Sequence, residues 1–337
     1  MTEQARQRTP LRIGIVGTNF VSDWLAEAAS AVPAVSVTAV CSRSRETGDA
    51  FSEKHGGLSV YTDYAAFCRS DEIDAAYIAT PNSVHSEQAV AALRAGKHVF
   101  CEKVLATSAA EFRAVRETAE REGKVLLEAI RPAYDPALRV ISDALQKIGT
   151  VRRAELDFSQ YSSRYDRFRA GIVLNAFDPA MGNAAVMDLG VYPIHVCVKL
   201  FGAPARVQSS SVFLPNGFEG EGTALLAYGT FQAVIRYSKI AEGMSPNAII
   251  GEAGTLFFDR VSTPKNVRIR YRDGREEAIP TDVPENNMIY EVETFARTVL
   301  DGEDPSPYLD DSEKTVAVID EIRRQNGIVF PNDGRFL

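Results

Sequence analysis

Cysteine, histidine and tryptophan are scarce in this sequence, and what they fail to form is informative. The four cysteines, Cys41, Cys68, Cys101 and Cys197, make no CxxC pair, and the four histidines, His55, His85, His98 and His195, are scattered without ligand spacing. Metal centres need clusters of such groups, so no metal is expected. Buried, reduced thiols fit better than disulfides, with Cys41 and Cys101 at the ends of apolar runs. Positive charge is in deficit, with 37 Lys and Arg against 45 Asp and Glu and a net charge of -8. That balance gives no electrostatic footprint for nucleic acid or anionic lipid. No uninterrupted apolar run reaches the roughly 18 residues that cross a bilayer. The opening MTEQARQRTP has neither an apolar signal core nor a twin-arginine pair and reads as a short disordered lead-in. A cytoplasmic protein is expected, without a membrane or nucleic-acid partner.

What is present is an ordinary globular composition, 45% hydrophobic and 24% charged over 337 residues, a length that favours two domains. In the first third, apolar runs at 11–16, 35–41, 75–79, 98–101 and 125–129 are short, rich in β-branched or aromatic residues and bounded by polar segments. Such runs predict buried parallel strands. Between them, 84–95 and 108–122 carry helical spacing, the second through Phe112, Val115 and Ala119. Strand alternating with helix predicts a parallel sheet covered on both faces.

In that setting IGIVGTNFVSDW, residues 13 to 24, reads as a degenerate dinucleotide-binding turn. The usual GxGxxG places glycines for the tight turn, for approach to the pyrophosphate and for helix packing. Here Gly17 takes the first role, Asn19 and Ser22 stand at the other two, and Thr18, Phe20 and Val21 complete the loop and the first helical turn. Asn tolerates the left-handed region, so Asn19 is expected to adopt it in place of glycine. A plain strand-to-helix turn is the alternative. The second strand ends in CSRSRE, where an NAD-specific site would carry an acidic residue for the ribose. Ser42 and Arg43 stand there instead and suit the extra phosphate of NADP, unless Arg43 is simply a solvated loop charge. NADP(H) is favoured and NAD(H) possible.

The stretch YIATPNSVHSEQAVAALRAGKHVFCEK at 77–103, followed by MDLGVYPIH at 187–195 and LFG at 200–202, resembles the glucose-fructose oxidoreductase and inositol dehydrogenase family (Gfo/Idh/MocA). The resemblance runs from residue 11 to about 330. It implies an α/β fold in which an N-terminal Rossmann-type parallel sheet (1–130) precedes a C-terminal α+β domain (131–337). That second domain is built on an open, largely antiparallel sheet whose broad face mediates homo-oligomerisation, with the C-terminal helices packing back on the first domain. It implies that Lys103, after Glu102, stands near the nicotinamide and the reacting hydroxyl, with Val104 where the family has proline. Asp188 and Tyr192 match the carboxylate and the proton-transfer residue of the second motif. Thr80, Pro81, Asn82 and His85 match the segment lining the ribose and nicotinamide end of the cofactor. Lys103 and Asp188 are expected to meet in the interdomain cleft, with the lysine ammonium lowering the phenol pKa of Tyr192. His195, one helical step past Tyr192, reads as a substrate contact or as a core residue. The segment EAIRPAYDP at 128–136 departs from the family's pattern at Ala133, Tyr134 and Asp135, which leaves substrate contacts there open.

From residue 151 the texture changes to antiparallel strands, with Asp273-Gly274 marking a hairpin. Two helical stripes follow, Met288, Val292, Phe295 and Val299, then Val316, Ile319 and Ile322. The long stretch 159–183 mixes aromatic and polar residues. It suits a polyol or sugar, with Asn175, Phe177 and Asn183 as candidate contacts, or else an oligomer contact. Two functions are compatible with all this. One is an NAD(P)-dependent oxidoreductase moving hydride to or from a hydroxyl- or carbonyl-bearing carbon of a sugar, inositol or cyclic diol; the other is a non-catalytic cofactor or sugar sensor of the same fold.

Overall fold

A computed structural model describes residues 9–281 and 284–334; most of the N-terminal lead-in lies outside the described residues. The first sheet is made of β1 (Leu11–Val16), β2 (Val35–Cys41), β3 (Ser59–Tyr61), β4 (Ala75–Ile78), β5 (His98–Glu102) and β6 (Leu126–Ala129). These strands are parallel throughout and lie in the order β3-β2-β1-β4-β5-β6. Ile13, Ile15, Tyr77 and Phe100 have no exposed surface, as strands covered on both faces require. The connecting helices are α1 (Phe20–Ser30), α2 (Arg45–Lys54), α3 (Tyr64–Arg69), α4 (Asn82–Arg94) and α5 (Ala109–Glu122). The runs predicted as strands are all strands, and α4 begins two residues before its predicted start.

A helix α6 (Pro136–Ala144) leads into the second sheet. Its strands are β7 (Val151–Ser159), β8 (Arg206–Phe213), β9 (Glu219–Tyr228), β10 (Phe231–Ser238), β11 (Asn247–Gly251), β12 (Gly254–Asp259), β13 (Lys265–Tyr271) and β14 (Glu276–Ala278). They lie in the order β14-β13-β12-β11-β7-β10-β9-β8. All neighbours are antiparallel except β7 and β10. Gly274, at φ 88°, turns the β13–β14 hairpin. Between β7 and β8 the chain forms α7 (Tyr165–Arg169), a single π-helical turn at Val186–Gly190 and α8 (Val191–Phe201). By length and composition Pro179–Phe201 would suffice to cross a membrane, but 67% of its most apolar window is buried inside the protein. Here it is a core helix whose apolar character is used against the second sheet.

The last two helices tie the sheets together. Phe295 of α9 (Met288–Leu300) stacks on Phe100 of β5 with centroids 5.0 Å apart, and Met288, Val292 and Ala296 join the same cluster under α1. From α10 (Ser306–Asn326), Asp320 accepts the Ala109 amide at 2.7 Å, and Asp310 and Glu313 pair with Arg116. The first sheet is therefore covered by helices from both ends of the chain. Gly182 shows how close the two halves come. It adopts φ +67°, and a Cβ there would meet the Ser83 amide nitrogen at 2.9 Å.

Candidate active site

The C-terminal ends of β1, β4 and β5 meet where the strand order reverses, the position at which open α/β sheets bind ligands. After β1, Gly17 takes φ +100°, and a Cβ on it would strike the Ala79 carbonyl oxygen at 2.5 Å. Glycine is required there on both counts. Asn19 differs from expectation. At φ -87° and ψ 176° it is extended rather than left-handed, and it caps α1 by accepting from the amides of Val21 and Ser22. Its Nδ2 donates 2.7 Å to the Ala79 carbonyl, so the side chain pins the β1 turn to the end of β4. An Asn is favoured at the N-cap because its side-chain oxygen satisfies helix amides that nothing else reaches. Ser22 is fully buried, which lets α1 lie close to the sheet. Among the described residues the amides of Thr18 and Phe20 have no partner in the chain. The cradle therefore offers free donors, a positive helix end and room for a backbone-hugging pyrophosphate, and it fits a dinucleotide.

After β2, Ser42 is nearly buried and its hydroxyl lies 2.6 Å from Thr47 Oγ1, while Ser44 caps α2. Arg43 is exposed and, among the described residues, makes no ion pair, whereas its neighbour Arg45 is tied to Asp49. After β4, Thr80 donates to Gln88 at 2.6 Å, Pro81 precedes the first turn of α4, and Asn82 reaches across to the Gly182 carbonyl at 3.1 Å. His85 does not face the crevice. It is 1% exposed, with Nδ1 2.8 Å from the Val104 oxygen and Nε2 2.7 Å from the Thr80 oxygen. Burial holds its pKa below the ordinary value, so it acts as a brace between two crevice loops rather than as a cofactor contact.

Lys103 leaves the end of β5 into a cis Lys103–Val104 peptide bond. Its Nζ donates to Asp188 Oδ1 at 2.8 Å and to the Asp188 carbonyl at 3.0 Å, and lies 5.2 Å from the centre of the Tyr192 ring. Residues 85 apart in sequence are thus joined across the crevice, as expected. The π-helical turn at 186–190 places Asp188, and the start of α8 places Tyr192 one step on. Burial disfavours both charges, yet the contact between them wins, holding the Lys103 ammonium above and the Asp188 carboxyl far below their usual ranges. Glu102, half-buried, is pushed up to about 7 by burial, partly offset by the 2.5 Å bond from the Tyr77 hydroxyl.

Tyr192 departs from expectation in the other direction. Burial raises its pKa and the nearby Lys103 only partly offsets this, so the net shift is upward. Loss of solvent around the phenol outweighs the ammonium, and the carboxylates of Glu102 and Asp188 add to the upward shift. The resting group is a neutral phenol, a proton donor before it is a base.

Sequence reasoning missed Lys239, which follows β10. It is 2% exposed, donates 2.6 Å to Asp188 Oδ2 and 2.9 Å to the Ala176 carbonyl, and packs over the rings of Phe177 and Phe218. Phe177 itself has no exposed surface and belongs to an aromatic cluster with Tyr165, Phe168 and Phe218, so it cannot touch a substrate. Asn175 is exposed, and Asn183 lies beside the site with Nδ2 3.4 Å from the Ala176 carbonyl and Oδ1 buried without a partner in the chain. His195 is fully buried against α10, 3.1 Å from Thr315 Oγ1, and burial lowers its pKa to about 3; of its two readings, the core one holds. Among the described residues no three His, Cys, Asp or Glu side chains cluster as metal ligands would.

Comparison with known proteins agrees with this geometry. The NAD-binding Rossmann-fold model of the Gfo/Idh/MocA oxidoreductase family matches residues 11–129, and the family's C-terminal domain model matches 144–257. The chain is 42% identical over 325 residues to the NADP-dependent scyllo-inositol 2-dehydrogenase of Bacillus subtilis, covering 96% of this chain and 99% of that protein. It is 27% identical to the trans-1,2-dihydrobenzene-1,2-diol dehydrogenase of Xenopus tropicalis over 94% of this chain and 98% of that one. The crystal structure of a 3-ketoreductase from Actinomadura kijaniata with NADP and TDP-benzene superposes with a TM-score of 0.83 at 26% identity, covering 94% and 98% of the two chains. The overall fold and nearly the whole length are shared, and the chain belongs to the Gfo/Idh/MocA family of oxidoreductases.

Proposed function

We propose that this protein is an NADP(H)-dependent oxidoreductase interconverting a ring carbinol and its ketone in a cyclic polyol of the inositol kind. The observation that carries the reading is the joining of Lys103, Asp188 and Tyr192 across the crevice at the sheet's switch point. The relative with 42% identity acts on scyllo-inositol with NADP, which supports both substrate class and cofactor.

In this reading Gly17, Thr18, Asn19, Phe20 and Val21 hold the pyrophosphate, Ser42 and Arg43 the 2′-phosphate, and Thr80, Pro81, Asn82 and Glu102 border the nicotinamide end. Bound NADP(H) supplies or accepts the hydride. The Lys103 ammonium donates a hydrogen bond to the substrate oxygen and stabilises the negative charge that develops there. Asp188 orients Lys103 and, with its pKa held far down, stays ionised and takes no proton. Tyr192 gives its phenolic proton to that oxygen in reduction and receives one in oxidation. Asn175 is the exposed substrate contact from the 159–183 segment; Asn183, whose Oδ1 is buried, holds the Ala176 carbonyl through Nδ2 instead.

We further propose a homo-oligomer built on the open face of the second sheet, where the outward Thr223, Leu225 and Ala227 alternate with buried residues and Val212 is 53% exposed. Four buried free thiols and a net charge of -8 support a cytoplasmic protein without membrane or nucleic-acid partners.

The test is a screen of inositols, sugars and cyclic diols with NADP+ and NAD+, followed by NADPH absorbance. Turnover of an inositol with preference for NADP+ is expected, and Arg43→Ala should narrow that preference by about 1–3 kcal/mol, the scale of a charge-assisted hydrogen bond. Nucleotide binding with no turnover of any polyol would overturn the enzymatic reading in favour of a sensor.

A further inference from the structure

The lysine–carboxylate pair at the centre of the site is not a pair. Asp188 has two oxygens, and each is taken by a different ammonium: Oδ1 by Lys103 at 2.8 Å and Oδ2 by Lys239 at 2.6 Å. Among the described residues Asp188 is the one carboxylate in ion-pair reach of Lys239. The side chain of Lys239 is otherwise enclosed by the Ala176 carbonyl and the faces of Phe177 and Phe218. A buried ammonium is costly unless paired, and this one shares a carboxylate that already serves another cation. These three side chains carry two positive charges and one negative, where a lone Lys103–Asp188 pair would sum to zero; Glu102 and Arg131 also act on the site, and they are common to the parent and to every variant below.

We propose that Lys239 is a positioning residue of the active site: it holds Asp188 through Oδ2 and adds one positive charge to the cluster beside the nicotinamide, which favours the neutral, reduced nicotinamide over the cationic, oxidised one. The inference rests on the dinucleotide reading above and deepens it. The same added charge faces the substrate oxygen, where it favours negative charge in the transition state. Lys239 does this without touching substrate, through Asp188 and the field it adds.

The charge count makes a test that separates electrostatics from mere support. Dissociation constants of NADP+ and NADPH are measured separately, by calorimetry and by NADPH fluorescence, for the parent and three variants. Lys239→Met brings the trio to zero and should improve NADP+ relative to NADPH about three- to tenfold, the range for one unit charge acting over several ångströms through a partly screened site. Asp188→Asn brings it to plus two and should shift the ratio in the opposite direction. The double variant, Lys239→Met with Asp188→Asn, returns to plus one and should restore a ratio within about twofold of the parent. If Lys239 only propped the loop at Ala176, the double variant would be no closer to the parent than Lys239→Met alone, and that result would overturn the proposal. An unchanged ratio in Lys239→Met would overturn it as well, leaving the dinucleotide site itself intact. A parent chain that binds neither nucleotide would instead sink the cofactor reading, and this inference with it.

Discussion

Removing the Asn19 side chain should weaken both the first helix and the cofactor cradle, by amounts that different replacements can separate. The side chain does two jobs. It accepts from the Val21 and Ser22 amides at 2.9 and 3.3 Å, and it donates to the Ala79 carbonyl at 2.7 Å. Loss of an N-cap costs about 1 kcal/mol, but only a few tenths when glycine replaces it. Loss of a net hydrogen bond costs roughly 0.5–1.5 kcal/mol. Asn19→Ala should therefore cost about 2 kcal/mol and Asn19→Gly about 1 kcal/mol. Asn19→Asp keeps the acceptor, favoured at a helix N-terminus, while it loses the donor and sets a carboxylate against the Ala79 carbonyl and the incoming pyrophosphate. It should keep the cap of α1, cost about 1 kcal/mol of stability through the lost tether, and cost NADPH affinity most. The chain offers a local probe, since its single tryptophan, Trp24, lies on α1 one turn beyond the cap and is 43% exposed. Urea titrations followed by Trp24 fluorescence would read the helix, and NADPH titrations the cradle. Parental values of both for Asn19→Gly would refute the argument, because they would mean that the tether to Ala79 contributes nothing.

Tyr192→Phe should lower kcat by roughly 10²–10⁴-fold, the usual contribution of a general acid, with little change in NADPH affinity; a near-parental kcat would remove Tyr192 from the mechanism. Because burial raises the phenol pKa, the proton needed for carbonyl reduction is present throughout neutral pH and is lost only as pH rises through that raised value. Carbinol oxidation should climb over the same alkaline range, and both limbs should vanish from the pH profile of Tyr192→Phe. His195 is neutral when folded, with a pKa of about 3, against about 6.5 for an unperturbed histidine. Its contribution to stability is complete above the unfolded value and falls by about 1.4 kcal/mol for each pH unit below it until the folded pKa is reached. His195→Leu should flatten the acid limb of an unfolding curve between those values, and Thr315 keeps a partner because its hydroxyl also donates to the Asp311 carbonyl. An unaltered acid limb would show that other groups control acid unfolding.

The strands of the first sheet were legible because strands buried on both faces are written as unbroken apolar runs, and Ile13, Ile15, Tyr77 and Phe100 are such residues. Where burial is partial the writing fades. Ser59–Tyr61 is a three-residue edge strand with every residue half-buried, and α2, with the sequence RETGDAFSEK, buries little beyond Phe51 and two small residues. Neither leaves a period to read. At Asn19 the residue was identified and the reason was not. A glycine-rich fingerprint suggests a backbone requirement, while the structure uses the side chain as cap and tether. The aromatic Phe177, in a polar stretch, reads as a surface contact until the fold supplies Tyr165, Phe168 and Phe218 to bury it.

Lys239 exposes a different limit, because its position is set by pairing rather than by local pattern. It stands 51 residues from Asp188, at the end of a strand reading FQAVIRYS, and nothing in its neighbours marks it. It reaches the site only because β10 lies parallel to β7 in the middle of the second sheet and delivers its C-terminal end beneath the π-helical turn. A sequence pattern can name a lysine and a carboxylate and predict that they meet, and a pair so named is electrically neutral. The sign of the field that a substrate oxygen and a nicotinamide would meet depends on every charge brought to that point. Here one strand, placed by topology, adds a positive charge to that sum.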